Sequence, residues 1–334
     1  PAWSPDGRHL YFLGRDDAGR DKAPRDGSRQ VWRIGRDGGA PEPVTRHADG
    51  IGSFLLAPDG NALYFTARSD HHDEQWKDLR QEYPDLEYGH GILHLDAVRK
   101  LDLVSWRDEE VLPADRVIWD MDLSPDGSRL ALITTTDNEL IFMEGWSRVE
   151  VVDLATGETT PVTMPEWRTD HPSPYGWIED VCWSKDGAAV GFSISYDGYA
   201  SHIWVAEEAG GNWALHRVER PDMVGYAGGL AWMGGRQLAY LGETMGRIHV
   251  YGVEKVRDGG QGSTKALVDG DVVTGSFAFD AKGGNLVVIH ETISDGNDVY
   301  AVKGPEKFVR LTRVNPQIDT WKLPQIQHVS WPGA

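Results

Sequence analysis

Apolar residues alternate with polar ones in short runs along most of this chain, and the runs are punctuated at related points by the same kind of turn. Arg129-Leu130-Ala131-Leu132-Ile133 and Asn61-Ala62-Leu63-Tyr64-Phe65 read as half-buried strands with a period of two. Each follows a turn: Ala57-Pro58-Asp59-Gly60 or Leu123-Ser124-Pro125-Asp126-Gly127, with matching copies at Trp3-Ser4-Pro5-Asp6-Gly7 and Trp183-Ser184-Lys185-Asp186-Gly187. Proline presets φ, aspartate supplies a local hydrogen bond and glycine accepts positive φ. Weaker copies stand at Trp232-Met233-Gly234-Gly235 and at 279–284, so six units are legible.

Within a unit, an apolar strand such as Val117 to Leu123 enters the turn and a second strand leaves it. A third carries aromatic and β-branched residues, as in Val31-Trp32-Arg33-Ile34 or His202-Ile203-Trp204-Val205, and a short fourth closes the unit, as at Pro161-Val162-Thr163. Four antiparallel strands repeated in this way predict an all-β β-propeller. The expected blades cover 1–47, 48–113, 114–163, 175–218, 224–268 and 271–313, followed by a linker at 314–334. Turn glycines recur at intervals of 53, 67, 60, 48 and 49 residues. A bare blade needs about 40–45, so the excess belongs to loops. The largest insertion, 69–94, places Trp76, Leu79 and Tyr83 at helical spacing and predicts a short amphipathic helix, with a packed irregular loop as the other reading. The long segments at 15–27, 69–91, 135–145, 164–177 and 219–228 fall on one face, which is the expected binding face. The chain opens at Pro1-Ala2-Trp3 inside a repeat, so the six units are expected to be a whole ring or the remainder of a seven- or eight-bladed one. An incomplete ring would expose a blade edge through which copies could associate.

A formal charge of −19 speaks against a nucleic-acid partner, which requires a basic stripe. No apolar run approaches the length of a membrane-spanning helix. Cys182 is the only cysteine, so no intrachain disulfide can form. Cytoplasm and periplasm are both compatible with this composition.

Blades of the Ser-Pro-Asp-Gly kind resemble two groups: the Tol-system periplasmic propellers, and the N-terminal propeller of the prolyl oligopeptidase family of serine peptidases. Leu311-Thr312-Arg313-Val314-Asn315-Pro316 and the later Val329-Ser330-Trp331 resemble the linker into the α/β-hydrolase domain of acylaminoacyl- and dipeptidyl-peptidase-like members. Leu86-Glu87-Tyr88-Gly89 is also similar to bacterial members. The resemblance implies a non-catalytic domain that gates and positions peptide substrates for a hydrolase domain of the same parent chain. No Gly-x-Ser-x-Gly nucleophile motif occurs here, so no catalytic residue is carried over. Dipeptidyl peptidases pair paired acidic residues with the substrate amine; this chain has no double-Glu match, and residues 164–180 stand in that place. Two other readings are a Tol-type interaction scaffold and a propeller enzyme, a lyase or lactonase, with a site in the tunnel.

Candidate substrate-binding residues are Glu144, Tyr175, Glu179, Tyr196, Tyr226 and Glu243. Glu179 with Asp180 can hold an ammonium group by charge-assisted hydrogen bonds, or pair with backbone between blades. Glu144 follows the apolar Leu140-Ile141-Phe142-Met143, Glu243 adjoins the Thr244-Met245-Gly246 turn, and the tyrosines supply aromatic contacts or inter-blade packing. Trp32, Trp119, Trp183, Trp204 and Trp232 read as packing residues and not as a ligand cage. Asp70-His71-His72-Asp73-Glu74 and the pair His90 and His94 lack convergent ligand geometry, so neither a metal nor a cofactor is expected.

Overall fold

The alternation along the chain becomes 23 strands in a computed structural model that describes residues 1–68, 77–85, 94–135, 146–163, 172–173, 176–222, 224–234, 236–257, 262–280, 282–292, 294–323, 329 and 331. Antiparallel four-stranded units follow one another as the blades of a β-propeller. Blade 1 contains Ala2–Trp3, His9–Asp17, Asp26–Gly35 and Glu42–Pro43. Blade 4 contains Gly176–Trp183, Ala189–Tyr196, Tyr199–Ala209 and Asn212–Val218. Blades 2 and 3 share one long strand, Asp108–Leu123, which closes the first and opens the second without a break. Blades 5 and 6 start at Ala227–Trp232 and Val273–Phe279, and the only strand pairing between them among the described residues is parallel, Ile248 with Val273.

The turn works identically wherever it carries both the serine and the aspartate. In blades 1, 3 and 4 the serine hydroxyl donates to the aspartate Oδ1 at 2.6 Å and accepts from the N–H five residues on, at 2.9–3.0 Å. The turn glycines take φ of 66° to 73°, which only glycine adopts freely. A second constraint is not local. A Cβ on Gly60 would lie 2.8 Å from Pro5 Cδ, and one on Gly127 would lie 3.3 Å from Pro58 Cδ. Each turn proline therefore packs on the next blade's turn glycine, and the motif couples neighbours as well as reversing the chain. Within the blade 3 turn, the Ser124 hydroxyl, followed by the Ser128 N–H and hydroxyl, holds the Asp126 carboxyl down at about 2, from 3.8. Because this value is depressed on folding, its contribution is present above pH 4 and disappears as pH falls towards 2. Asp126→Asn should accordingly cost about 1 kcal/mol at neutral pH. Urea unfolding midpoints of variant and parent should converge near pH 2.

Five apolar clusters join the blades, one between each successive pair. Between blades 3 and 4, Ile133, Val149 and Val151 meet Ile178, Phe192 and Ile194. Between blades 4 and 5, Ile203 and Val205 meet Tyr240 and Val253. On blade 6, Ile289 and Val309 are exposed, as is Trp3 on blade 1. After the last strand, Asp298 accepts from the Thr312 hydroxyl at 2.6 Å, the Val314 N–H at 3.0 Å and Arg310 Nε at 2.9 Å, which fixes the chain as it leaves the blade.

Two expectations about loops change. Segment 15–27 is a shorter connection than expected, since His9–Asp17 and Asp26–Gly35 extend into it and pair through Asp17 and Asp26, which leaves 18–25 between them. The insertion does carry a helix, Lys77–Glu82, but Leu79 and Tyr83 are exposed and bury no apolar stripe. Trp76 and most of segments 135–145 and 164–177 lie outside the described residues.

Candidate functional site

Alternation fails at one equivalent point in the first strand of blades 2 to 6. The pairing register slips between Ile51 and Phe54, Ile118 and Asp120, Glu179 and Cys182, Gly228 and Ala231, and Thr274 and Ser276. Each slip is a β-bulge, which turns side chains to a new direction and leaves backbone groups without a ladder partner. The first strands of blades 3, 4 and 5 lie side by side, so their bulges meet.

Carboxylates complete the hydrogen bonding across these junctions. Asp120 on the blade 3 bulge accepts from the Val181 N–H of blade 4 at 3.1 Å. Asp180 on the blade 4 bulge accepts from the Gly229 N–H of blade 5 at 2.7 Å and from Ser193 Oγ at 3.0 Å. Asp122 repeats the link one step on, accepting from the Trp183 N–H at 2.7 Å. Asp180 and Gly229 both have left-handed backbone, φ 58° and 63°; aspartate is among the few non-glycine residues that tolerate this.

Beside this chain of bulges is a cavity of about 610 Å³, walled by Trp119, Trp177 and Tyr226 and by the carboxylates of Asp120, Glu179 and Asp180, with Ile133, Ser147 and Ile178 at its base. The size suits a small ligand or a few residues of a peptide. Glu179 Oε2 accepts from Ser195 Oγ at 2.8 Å, which orients the carboxylate and leaves its other oxygen for a ligand. Burial pushes the Asp120 carboxyl up to about 6; hydrogen bonds from Met121 and Val181 oppose this, and the negative charges of Asp180 and Asp122 reinforce it. The Tyr226 phenol is also raised, by burial first and then by Glu179 and Asp180. Tyr226 lies over Gly228, where a Cβ would come within 2.6 Å of the phenol oxygen and 2.8 Å of Asp180 Oδ2. Glycine there allows the aromatic ring and the carboxylate to share one corner. Carboxylates among aromatic faces are the groups that hold a cation through charge-assisted hydrogen bonds and cation–π contact.

Of the sequence candidates, Glu179 and Tyr226 meet in this cavity. Asp180 bonds blade to blade, the backbone-pairing alternative, and also lines the same cavity. Tyr196 ends a strand and is 6% exposed, packed in the blade 3–4 cluster with its ring 5.0 Å from that of His202. Glu243 is exposed and acts through its backbone, whose N–H donates to the Tyr226 carbonyl at 2.9 Å and whose carbonyl accepts from Gly225 at 3.0 Å. Glu144 and Tyr175 lie outside the described residues, as do His71, His72 and His90. The packing role expected of Trp119 is corrected: 42% exposed, it walls the cavity, whereas Trp32, Trp183 and Trp232 are buried as expected. The bulge between Ile118 and Asp120 moves Trp119 off the face it would share with Val117 and Met121. Trp177 and Asp120 were likewise missed. Among the described residues no group of three or more histidine, cysteine, aspartate or glutamate side chains is placed to hold a metal ion.

No family model and no curated protein matches the sequence. Solved structures do match in fold. An oligogalacturonate lyase in complex with manganese is 16% identical with a TM-score of 0.65, covering 94% of this chain and 76% of its own. Acylaminoacyl peptidase from Pyrococcus horikoshii is 13% identical with a TM-score of 0.62, covering 96% of this chain, which spans 46% of the peptidase. TolB from Acinetobacter baumannii is 15% identical with a TM-score of 0.54, covering 90% and 65%. These likenesses define the class, a β-propeller, and leave its role to the site.

Proposed function

We propose that this chain is the substrate-gating and substrate-positioning propeller of a serine peptidase of the prolyl oligopeptidase type. In this reading it carries no catalytic residue and holds the amino end of a peptide for a hydrolase domain of the same parent chain. The observation that carries the reading is the cavity in which Asp120, Glu179 and Asp180 face Trp119, Trp177 and Tyr226. A peptide's terminal ammonium satisfies such a set, and its first side chain can pack on the indole rings. The hydrogen-bonded strands that carry these residues give the fixed geometry a positioning site requires. The fold likeness to an acylaminoacyl peptidase supports the same reading. A polyuronate, by contrast, would bring its negative charges to three carboxylates, so this cavity disfavours a lyase on that substrate.

The pH dependence of binding tests the cation site. With Asp120 titrating at about 6, the cavity gains charge between pH 5 and pH 7. Affinity for a free-amine tripeptide should rise about fivefold to tenfold over that range, measured by calorimetric titration. The stability of the unliganded chain should move the other way. A carboxyl raised on folding contributes most below pH 4, and that contribution is lost as pH climbs through 6. Affinity that is flat from pH 5 to pH 7 would count against the assignment.

A further inference from the structure

Trp119 also lines a second cavity. This one, about 320 Å³, is lined by Arg29, Arg68, His94 and Asp96 together with Gly52, Ser53, Thr66, Val117 and Ile118. Its charge is inverted relative to the rest of the chain. The sequence has 52 acidic and 33 basic residues, yet here two guanidinium groups and an imidazole face a single carboxyl. That carboxyl is already engaged: Asp96 is buried and accepts from the Ile118 N–H at 3.0 Å, and burial raises its pKa although Arg68 and His94 pull it down. Arg29 is held by carbonyls of blade 2, donating from Nε to Ile51 at 2.8 Å and from Nη2 to Gly52. Carbonyl acceptors fix the guanidinium while leaving its charge unneutralised. Arg68 is exposed at a strand end opposite Asp96, and among the described residues neither arginine forms an ion pair within 4.0 Å.

We propose that Arg29, Arg68 and His94 form a carboxylate-binding subsite, and that the two cavities sharing Trp119 together hold a short peptide by both charged ends. The amine half of this inference rests on the reading given under Proposed function; the carboxylate half rests only on the second cavity. Arginine's planar fork matches a carboxylate in a bidentate manner, and Trp119 supplies a shared apolar wall for the residues between. An extended tripeptide sets its termini about 10 Å apart, and its middle residue can lie along the Trp119 side chain that both cavities share. The ligand class is thus a zwitterionic oligopeptide, with a free carboxylate recognised as well as a free amine.

The experiment is a calorimetric titration of the parent chain and of Arg68→Ala with tri-alanine in free, C-amidated, N-acetylated and doubly blocked forms. Galacturonic acid serves as a carboxylate from a different source. C-amidation should weaken binding to the parent about 10- to 100-fold. In Arg68→Ala, with an unchanged unfolding midpoint, free and amidated peptides should bind within about threefold of each other. Arg68→Lys, which keeps the charge, should restore part of the difference. Equal binding of acid and amide by the parent overturns the proposal, and that comparison needs no variant to fold. Amidation losses that persist in Arg68→Ala overturn the assignment to this cavity, and tighter binding of galacturonic acid than of the peptide overturns the peptide as its source. Loss on N-acetylation reports the acidic cavity alone, so failure of the two halves is distinguishable.

Discussion

Asp180→Ala is expected to destabilise the chain by about 2–4 kcal/mol, read from the midpoint and slope of urea unfolding. Two physical costs combine. The Gly229 N–H at the blade 4–5 junction loses its acceptor at 2.7 Å, and the Ser193 hydroxyl loses one at 3.0 Å. An unsatisfied buried donor costs about 1–3 kcal/mol. In addition, the residue has φ of 58°, where alanine pays about 1–2 kcal/mol that aspartate and asparagine partly avoid. Asp180→Asn should therefore cost least, since it keeps a carbonyl acceptor and tolerates the backbone. Asp180→Gly should fall between them, because it relieves the backbone and supplies no acceptor. Alanine and asparagine variants of equal stability would contradict this account of the junction.

Glu179→Gln is expected to weaken binding of a free-amine peptide about 10- to 100-fold while leaving stability within about 0.5 kcal/mol. The Ser195 hydroxyl that donates to Glu179 at 2.8 Å can donate equally to an amide oxygen, so the local structure persists and only the charge is removed. Contact between an ammonium and a carboxylate is roughly twice as strong as its neutral counterpart, and the surrounding aromatic walls reduce screening by solvent. Calorimetry at pH 7, where Asp120 is ionised, gives the largest difference between variant and parent. A variant that binds as tightly as the parent would remove Glu179 from the site.

Much of the fold was readable because each repeat states its own geometry. Serine, proline, aspartate and glycine each have a defined task in the turn, and alternation on either side marks the strands. The stacking of Pro5 on Gly60 and of Pro58 on Gly127 was not readable, because it arises only when blades are placed together. The site was half legible for a related reason. Glu179 and Asp180 announce themselves as two polar neighbours interrupting an alternating strand, which is what a bulge looks like in sequence. Trp119 gives no such signal. Its alternation with Val117, Met121 and Leu123 is regular, and only the register slip between Ile118 and Asp120 turns it to the cavity. For Tyr196 the sequence leaves aromatic contact and inter-blade packing open, and its ring is folded into the apolar cluster between blades 3 and 4. The second cavity was invisible in sequence because Arg29, Arg68 and His94 come from two blades and carry no common motif.

The most direct measurement of the central claim compares the free tripeptide with its N-acetylated form by calorimetric titration of the parent chain at pH 7. Acetylation removes the ammonium and preserves every other group. If the acidic cavity beside Trp119 positions a peptide's amino end, affinity should fall at least tenfold in the parent and little further in Glu179→Gln. Equal affinity of the two peptides for the parent would contradict the claim.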